Sequence, residues 1–511
     1  MLTNQLPATP TSKKVVWKKD RQPSASMLPP DGKSYRCVWL EDSLTILSDG
    51  NVTCGLDDPH AARSFGNIFN QSVAEIFANP EIERMRVGLS NGRRCDNCWL
   101  YTEREANEDL AIRPLLPHVL VIEPTVTCNL RCPNTACDSN NDRNLATRER
   151  DKLELNVFIK VIDEAAPYLK ELYFFNYGDP FVNPDAESML GYMRSASSSV
   201  RIVSSTNGIP LKSAKRAQAV AAADVDQMTF TISGAFQDSY EKYHVNGRLD
   251  AALQGLRNYC QSRVGPSRGG RAIVTWRYLV FRWNDSEDEL DRACHLAGKY
   301  GVDQLSFYLT HMPAGSASYR LAPGTPLFHK YKQFIDAAHG FRVPVPQPDG
   351  MWPAETLIGF GPLRWSGWSA EVEVCTISGW ALISLATNRP KDNQFCFVVH
   401  DGITHKVPLD NQQWTHLSFP SARTDYEVSL INIVAAECWF PVDEYDSEDL
   451  RCLGVMVSSV ALGGHQYRDK NTWEWLKRLP GPSLTELEIV KAGIECRREL
   501  SDRHTAGRVL F

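Results

Sequence analysis

From residue 118 to residue 310 the chain alternates between two kinds of segment, and that alternation restricts it to one class of fold. Short apolar runs rich in β-branched and aromatic residues fall at His118–Glu123, Glu171–Asn176, Val200–Ser205, Gln227–Ile232, Ile273–Phe281 and Gln304–Thr310. Stretches with helical spacing separate them, at Leu155–Tyr168, Lys212–Ala223, Asp250–Gln261 and Ser286–Tyr300. A strand reaches a parallel neighbour only through a long crossover, so strand and helix in repeated succession predict βα units around a parallel sheet. Six such units fall short of the eight that close a full barrel. The expected fold class is therefore α/β, a partial (β/α)6 TIM-like barrel over residues 111–335.

The flanks read differently. Residues 1–30 are rich in Pro, Ser, Thr and Lys, lack the apolar core of a signal peptide, and are expected to be a disordered tail. Residues 31–110 form a small cysteine-rich N-terminal domain. A Pro- and Gly-rich linker covers 336–360 (VPVPQPDGMWP). Residues 361–468 carry short alternating runs at Glu371–Val374, Gly379–Leu385, Phe395–Val399, Tyr426–Val434 and Val455–Leu462, with turns such as Asp401–Gly402 between them. They predict an all-β sandwich as C-terminal domain. Residues 469–511 read as a helix (NTWEWLKRL) and a charged tail.

Apolar residues at 43% and charged residues at 23% describe a globular protein in water. A net charge of -6 without long runs of one sign argues against a nucleic-acid partner. No stretch approaches the roughly 20 apolar residues that span a bilayer. The cytoplasm is the expected compartment, and there the fourteen cysteines are not a disulfide framework. Grouped cysteines point instead to metal ligands.

The sequence TVTCNLRCPNTAC follows the first predicted strand and carries Cys128, Cys132 and Cys137 on one loop. In parallel α/β folds chemistry gathers at the carboxyl ends of strands. Three thiolates can each bind one iron of a cubane cluster, which leaves the fourth iron open to an exogenous ligand. This segment resembles the cysteine motif of the radical S-adenosylmethionine (SAM) superfamily. The family's usual spacing is three residues and then two, with an aromatic residue before the last cysteine. Here the spacing is three and then four, with Ala136 before Cys137.

The resemblance implies a [4Fe–4S] cluster on Cys128, Cys132 and Cys137, SAM as co-substrate, and one-electron cleavage to a 5′-deoxyadenosyl radical that abstracts hydrogen. Further segments lie in phase with it. FFNYGDP is similar to the family's Gly-Gly-Glu-Pro segment, which implies SAM contacts at Gly178, Asp179 and Pro180. SSTNG implies Ser205, Thr206 and Asn207, and TISG implies Ser233. Arg277 is a further implied cofactor contact.

Before the barrel stand Cys37, Cys54 and the pair Cys95 and Cys98, with a hairpin signal at Ser48-Asp49-Gly50-Asn51 and a helix start at Ser72. DGNVTC and GNIFNQSVAEIF resemble SPASM domains, which implies a second, auxiliary [4Fe–4S] cluster. Four thiolates with a Cys-x-x-Cys pair also suit zinc, and that alternative stands. An electron donor such as flavodoxin or ferredoxin is the implied protein partner. The substrate is an organic molecule, either a sugar or glycoconjugate or a peptide, the former ahead on account of the aromatic-rich β domain. The competing reading is a zinc-binding scaffold on a degenerate barrel.

Other polar and sulfur residues carry weaker signals. Cys260 and Cys294 fall in predicted helices and read as small apolar side chains. Cys375, Cys396, Cys438, Cys452 and Cys496 are dispersed without ligand spacing. His311 and Arg320 follow the sixth strand and are candidates to face substrate. Trp365, Trp368, Trp380, Trp414 and Trp439 read mainly as core of the β domain.

Overall fold

The computed structural model describes residues 27–55, 58, 61–96, 98, 100–104, 114–133, 148–263, 272–313, 315–338, 341–357, 361–377, 379–389, 391, 393–411, 413–423, 427–445, 447–458 and 477–505. The chain divides into two compact units, one running to Leu279 and taking in Asp288–Phe307, the other made of Val280–Glu287 and the chain from Tyr308 onward.

The first unit contains strands β1 (Tyr35–Arg36), β2 (Ser43–Ile46), β3 (Asn51–Thr53), β4 (Ser64–Asn67), β5 (Thr102–Glu103), β6 (Val119–Ile122), β7 (Glu171–Phe174), β8 (Arg201–Thr206) and β9 (Gln227–Thr231), and all but the last residues of β10 (Ile273–Val280) and β11 (Gln304–Leu309). In its large sheet the spatial order is β11-β10-β9-β8-β7-β6-β2-β3-β4. Pairing is parallel from β2 through β10, with registers such as Leu120↔Leu172 and Thr206↔Phe230. Strands β6 to β11 match the six predicted runs to within two residues at either end.

The helices between them form where apolar residues recur at helical spacing. Leu155–Ala165 buries Phe158, Val161, Ile162 and Ala165 on one face. Leu249–Ser262 and Glu287–Tyr300 behave likewise. A helix at Ala186–Ala196 also stands between β7 and β8, absent from the predicted set.

The cysteine-rich segment is built into this sheet. Strand β2 pairs in parallel with β6, Ser43 opposite Val119 and Ile46 opposite Ile122, and β2 is buried throughout. The hairpin signal forms the β2–β3 turn, with Gly50 at φ 81 and the Asp49 carboxylate accepting from Asn51 N–H at 3.2 Å. The helix Val73–Phe77 starts on a capping box between Ser72 and Glu75. The Glu164 carboxylate accepts from the N–H groups of Val73 and Ala74, both at 2.8 Å. A carboxylate at a helix N-terminus satisfies donors that have no partner within the helix.

The second unit is antiparallel β. Its strands follow the order Glu355–Leu357, Gly361–Trp365, Met456–Ser458, Trp380–Ala386, Ser369–Ile377, Val428–Ala435, Phe395–His400 and Ile403–Pro408, while Thr415–Pro420 pairs with Trp380–Ala386. Ser369–Ile377 pairs with Trp380–Ala386 at its end and with Val428–Ala435 along most of its length. Trp365, Trp368 and Trp439 are buried, as expected of core. Residues 484–505, expected as a charged tail, are instead the helix Leu484–Thr505. Its start is marked by Ser483 and Glu486, whose side chains each accept from the other's backbone N–H, at 3.2 and 2.7 Å. The predicted helix at 471–479 lies outside the described residues apart from 477–479, and so does the disordered tail expected at 1–30 apart from 27–30, where Met27 instead bridges to Cys95 and Leu28 N–H donates to Arg94 O at 2.8 Å.

Candidate functional site

The loop that follows β6 is closed at its base before it carries any cysteine. Thr125 donates through Oγ1 to Asp151 O at 2.6 Å, Val126 N–H to the same carbonyl at 2.9 Å, and Leu153 N–H to Pro124 O at 2.9 Å. Under this stem lies a buried ion pair. Glu123, at the end of β6, accepts from Arg148 Nε at 3.1 Å, Ser48 N–H at 3.0 Å and Tyr177 N–H at 3.3 Å. Neither charged side chain meets water, so each depends on the other to offset its desolvation.

Cys128 and Cys132 reach into a cavity of about 190 Å3 at the carboxyl ends of the parallel strands. Phe175, Asn176, Gly178 and Asp179 line it after β7, Ser205, Thr206 and Asn207 at the end of β8, and Thr231 at the end of β9. Leu130, Tyr243 and His244 complete the lining. Pro180, Ser233 and Arg277 do not line it. Pro180 begins the 3-10 turn Pro180–Val182, Ser233 Oγ is occupied by Leu279 N–H at 3.2 Å, and Arg277 lies exposed on β10. Cys137 and Ala136 lie outside the described residues.

Gly178 sits where only glycine fits. Its φ is +74, and a Cβ would meet Thr125 O and Val126 C at 2.6 Å. The turn after β7 therefore rides directly on the cysteine loop, and Asp179 N–H donates to Thr127 O at 3.1 Å.

Asp179 is buried and its carboxylate is already engaged. It accepts from Phe181 N–H at 3.0 Å, Thr206 Oγ1 at 2.9 Å and Asn207 N–H at 2.8 Å. Burial pushes its carboxyl up to about 6, against those three donors. The side chain thus ties the turn after β7 to the end of β8 and has little acceptor capacity left.

Asn207 extends the tie to the cysteines. Its Nδ2 donates to Asn129 Oδ1 at 2.9 Å and toward Cys128 Sγ at 3.7 Å. On the other side of the cavity His244 faces Cys132, with Nδ1 3.5 Å from Sγ. Ser233 N–H donates to His244 Nε2 at 3.1 Å, so Nε2 carries the lone pair and the proton of the neutral ring is on Nδ1. Burial lowers this histidine to about 3, which keeps the ring neutral. His244 is thereby an N–H donor to the Cys132 sulfur. Arg131 N–H donates to Val245 O at 3.0 Å and joins the two segments.

Asn176 Nδ2 is buried at the cavity and has no hydrogen-bond partner among the described residues. A buried amide without a partner costs free energy unless a ligand supplies an acceptor. Two thiols, a spare donor and the ring faces of Phe175 and Tyr243 suit a polar, partly aromatic ligand bound next to a metal cluster. His244, Asn129 and Asn176 lacked any sequence signal, since their roles depend on contacts across the loop.

The second group gathers in the first unit as well. Cys37, Cys54 and Cys95 are buried and Cys98 is half-buried, all four as free thiols. Desolvation raises Cys37 and Cys95 and pushes Cys54 up to about 12, and in each the neighbouring thiols add to the rise. Such thiols become thiolates only when a cation binds them. Among the described residues no three His, Cys, Asp or Glu side chains converge as ligands of a single ion. A cubane that gives each thiolate its own iron fits this donor set.

Cys260 and Cys294 stand in helices away from both groups. His311 is exposed, and Arg320 pairs with Asp285 at 2.7 Å and Asp443 at 2.9 Å within the second unit. Cys438 and Cys452, distant in sequence, are hydrogen-bonded to one another, with Cys496 beside them.

Residues 122–294 match the family model of the radical SAM superfamily, and residues 37–99 that of SPASM, an iron–sulfur cluster-binding domain. The radical SAM match implies a [4Fe–4S] cluster and SAM, and the SPASM match an auxiliary iron–sulfur cluster. No curated protein matches the chain. Among solved structures, Streptococcus suis SuiB is similar at 13% identity over 43% of this chain and 49% of its own, with a TM-score of 0.32. Methylornithine synthase PylB is similar at 12% identity over 39% and 55%, with a TM-score of 0.29. The FeFe-hydrogenase maturase HydG from Carboxydothermus hydrogenoformans is similar at 14% over 37% and 43%, with a TM-score of 0.28. The chain spans about half the length of SuiB. No helix among the described residues is long and apolar enough to cross a membrane.

Proposed function

Because the chain carries a radical SAM domain behind an iron–sulfur SPASM domain, we propose that it is an enzyme that cleaves SAM reductively and abstracts hydrogen from an organic substrate. The observation that carries this is the meeting of Cys128 and Cys132 with the ends of β7, β8 and β9 around one cavity. Cys128, Cys132 and Cys137 would hold the catalytic cluster, and Cys37, Cys54, Cys95 and Cys98 the auxiliary one. When bound, cluster and SAM supply a one-electron cleavage that yields methionine and a 5′-deoxyadenosyl radical.

The chain's own residues do the positioning. Asn207 and His244 donate to the Cys128 and Cys132 sulfurs and fix the loop from opposite sides. Asp179 acts chiefly as the tie between β7 and β8, and its one remaining lone pair is available to the SAM amino group. Asn176 Nδ2 is the donor available to a SAM oxygen. Gly178, Ser205 and Thr206 shape the same wall and Pro180 begins the turn behind it, while Ser233 contributes through the backbone N–H that orients His244. Arg277 would reach the cofactor only by a change of side-chain direction.

The sheet from β6 to β11 reads as an open (β/α)6 barrel, the segment before it as the auxiliary-cluster domain, and 361–468 as a β-sandwich. The partners would be a flavodoxin- or ferredoxin-type electron donor in the cytoplasm and an organic substrate. A sugar or glycoconjugate is favoured over a peptide by the aromatic content of the β domain.

The test is anaerobic purification followed by reduction in the presence of SAM. About eight irons and eight sulfides per chain are expected from two four-iron clusters. Release of 5′-deoxyadenosine is expected, and is lost when Cys128, Cys132 and Cys137 are all changed to Ala. A colourless protein with stoichiometric zinc, inert toward SAM, would sink the reading.

A further inference from the structure

Arg63 is a charged side chain that neither the matches nor the catalytic site accounts for. It is only 3% exposed, yet no carboxylate among the described residues forms an ion pair with it. Its backbone is held by Asp58, whose carboxylate accepts from the N–H groups of Ala62 and Arg63, both at 2.8 Å. The guanidinium is thus delivered into the interior by a built turn. There Nη1 donates to Cys54 Sγ at 3.9 Å. Nε and Nη2 are also buried and have no partner among the described residues. Glu81 feels the charge at a distance, but its own oxygens are taken by Arg84.

A buried, unpaired guanidinium is expensive, and the fold keeps it only where an anion compensates. Four thiolates around a metal centre are that anion. The same guanidinium also hydrogen-bonds Cys95, and the nature of the centre decides which further acceptors it meets. A zinc ion would offer nothing beyond the four thiolate sulfurs, whereas a [4Fe–4S] cubane adds its own bridging sulfides as acceptors.

We infer that Arg63 is the charge partner and hydrogen-bond donor of the auxiliary cluster, engaging the Cys54 thiolate and the cluster sulfides. It is a positioning and tuning residue, and the inference rests on the iron–sulfur reading of the four cysteines. Positive charge and hydrogen bonds at cluster sulfur favour the reduced state, so Arg63 holds the auxiliary cluster at a higher potential than the four thiolates alone would.

The experiment uses the full chain with Cys128, Cys132 and Cys137 changed to Ala, so that one cluster remains. Iron, sulfide and zinc are measured per chain, and the midpoint potential is read by EPR-monitored titration. Four irons and four sulfides are expected in the parent from one [4Fe–4S] cluster. Arg63→Met, similar in length but uncharged, is expected to retain iron and to shift reduction by at least tenfold, about 59 mV lower for one electron. Arg63→Lys keeps the charge without the planar fork and is expected to recover part of the shift. Should Arg63→Met fail to hold iron, recovery of the cluster by Arg63→Lys at a lowered potential supports the inference. A variant that keeps its cluster at the parental potential overturns it. Stoichiometric zinc without sulfide in the parent overturns instead the iron–sulfur reading beneath it.

Discussion

Glu123 shows how much of the cysteine loop's shape rests on one side chain. Its carboxylate gathers Arg148 from beyond the loop, Ser48 from the β2–β3 turn and Tyr177 from the turn after β7. Glu123→Gln would take from the buried Arg148 the carboxylate it is paired with, at a cost of roughly 3–5 kcal/mol. The expected outcome is a fall of several degrees in thermal unfolding of the apoprotein together with reduced iron content. Adding Arg148→Met to that variant removes the buried charge and should restore part of the loss. Restoration stays incomplete because Ser48 and Tyr177 N–H groups meet a weaker acceptor. Equal stability of Glu123→Gln and the parent would refute this account. His244 teaches the same lesson, since its tautomer is set by a backbone N–H eleven positions away.

Among the elements, the turn after β7 and the cysteine loop are in direct backbone contact at Gly178. Gly178→Ala would add both an unfavourable φ and a steric clash with Thr125 and Val126. The turn must then lift away, which separates Asp179 and Asn207 from Cys128. Iron at the catalytic site is expected to fall while the auxiliary cluster is retained, as measured by iron per chain. Gly191→Ala, exposed in the helix Ala186–Ala196 with open space around it, is the matched comparison. It should leave iron content unchanged and, by helix propensity, stabilise by about 1 kcal/mol. Loss of iron in both variants, or in neither, would contradict the contact argument.

At the level of the whole molecule, the cysteine-rich segment is a structural part of the parallel sheet. Strand β2 covers the edge of β6, and Glu164 from the helix after the cysteine loop caps the helix Val73–Phe77. A chain beginning at Leu115 would therefore expose the β6 edge and the apolar surface under β2, an invitation to intermolecular pairing. Such a chain is expected to aggregate, as judged by size-exclusion chromatography. A monodisperse truncated protein that binds iron would show the segment to be dispensable.

Order along the chain was enough to reveal the strands β6 to β11 and most helices between them. Their signal is local: period-two or helical spacing of apolar residues within one segment. The hairpin at Gly50, the helix start at Ser72 and the cysteine groups were legible for the same reason. The helix Leu484–Thr505 was hidden because charged residues interrupt its apolar face. Only the tertiary structure joined β2 to β6, turned Asp179 inward as a tie, aimed His244 at Cys132 and left Arg63 buried beside Cys54. Those facts depend on which segments meet after crossover and on which polar atoms lose water when they do, and neither is written in the spacing of residues along one strand.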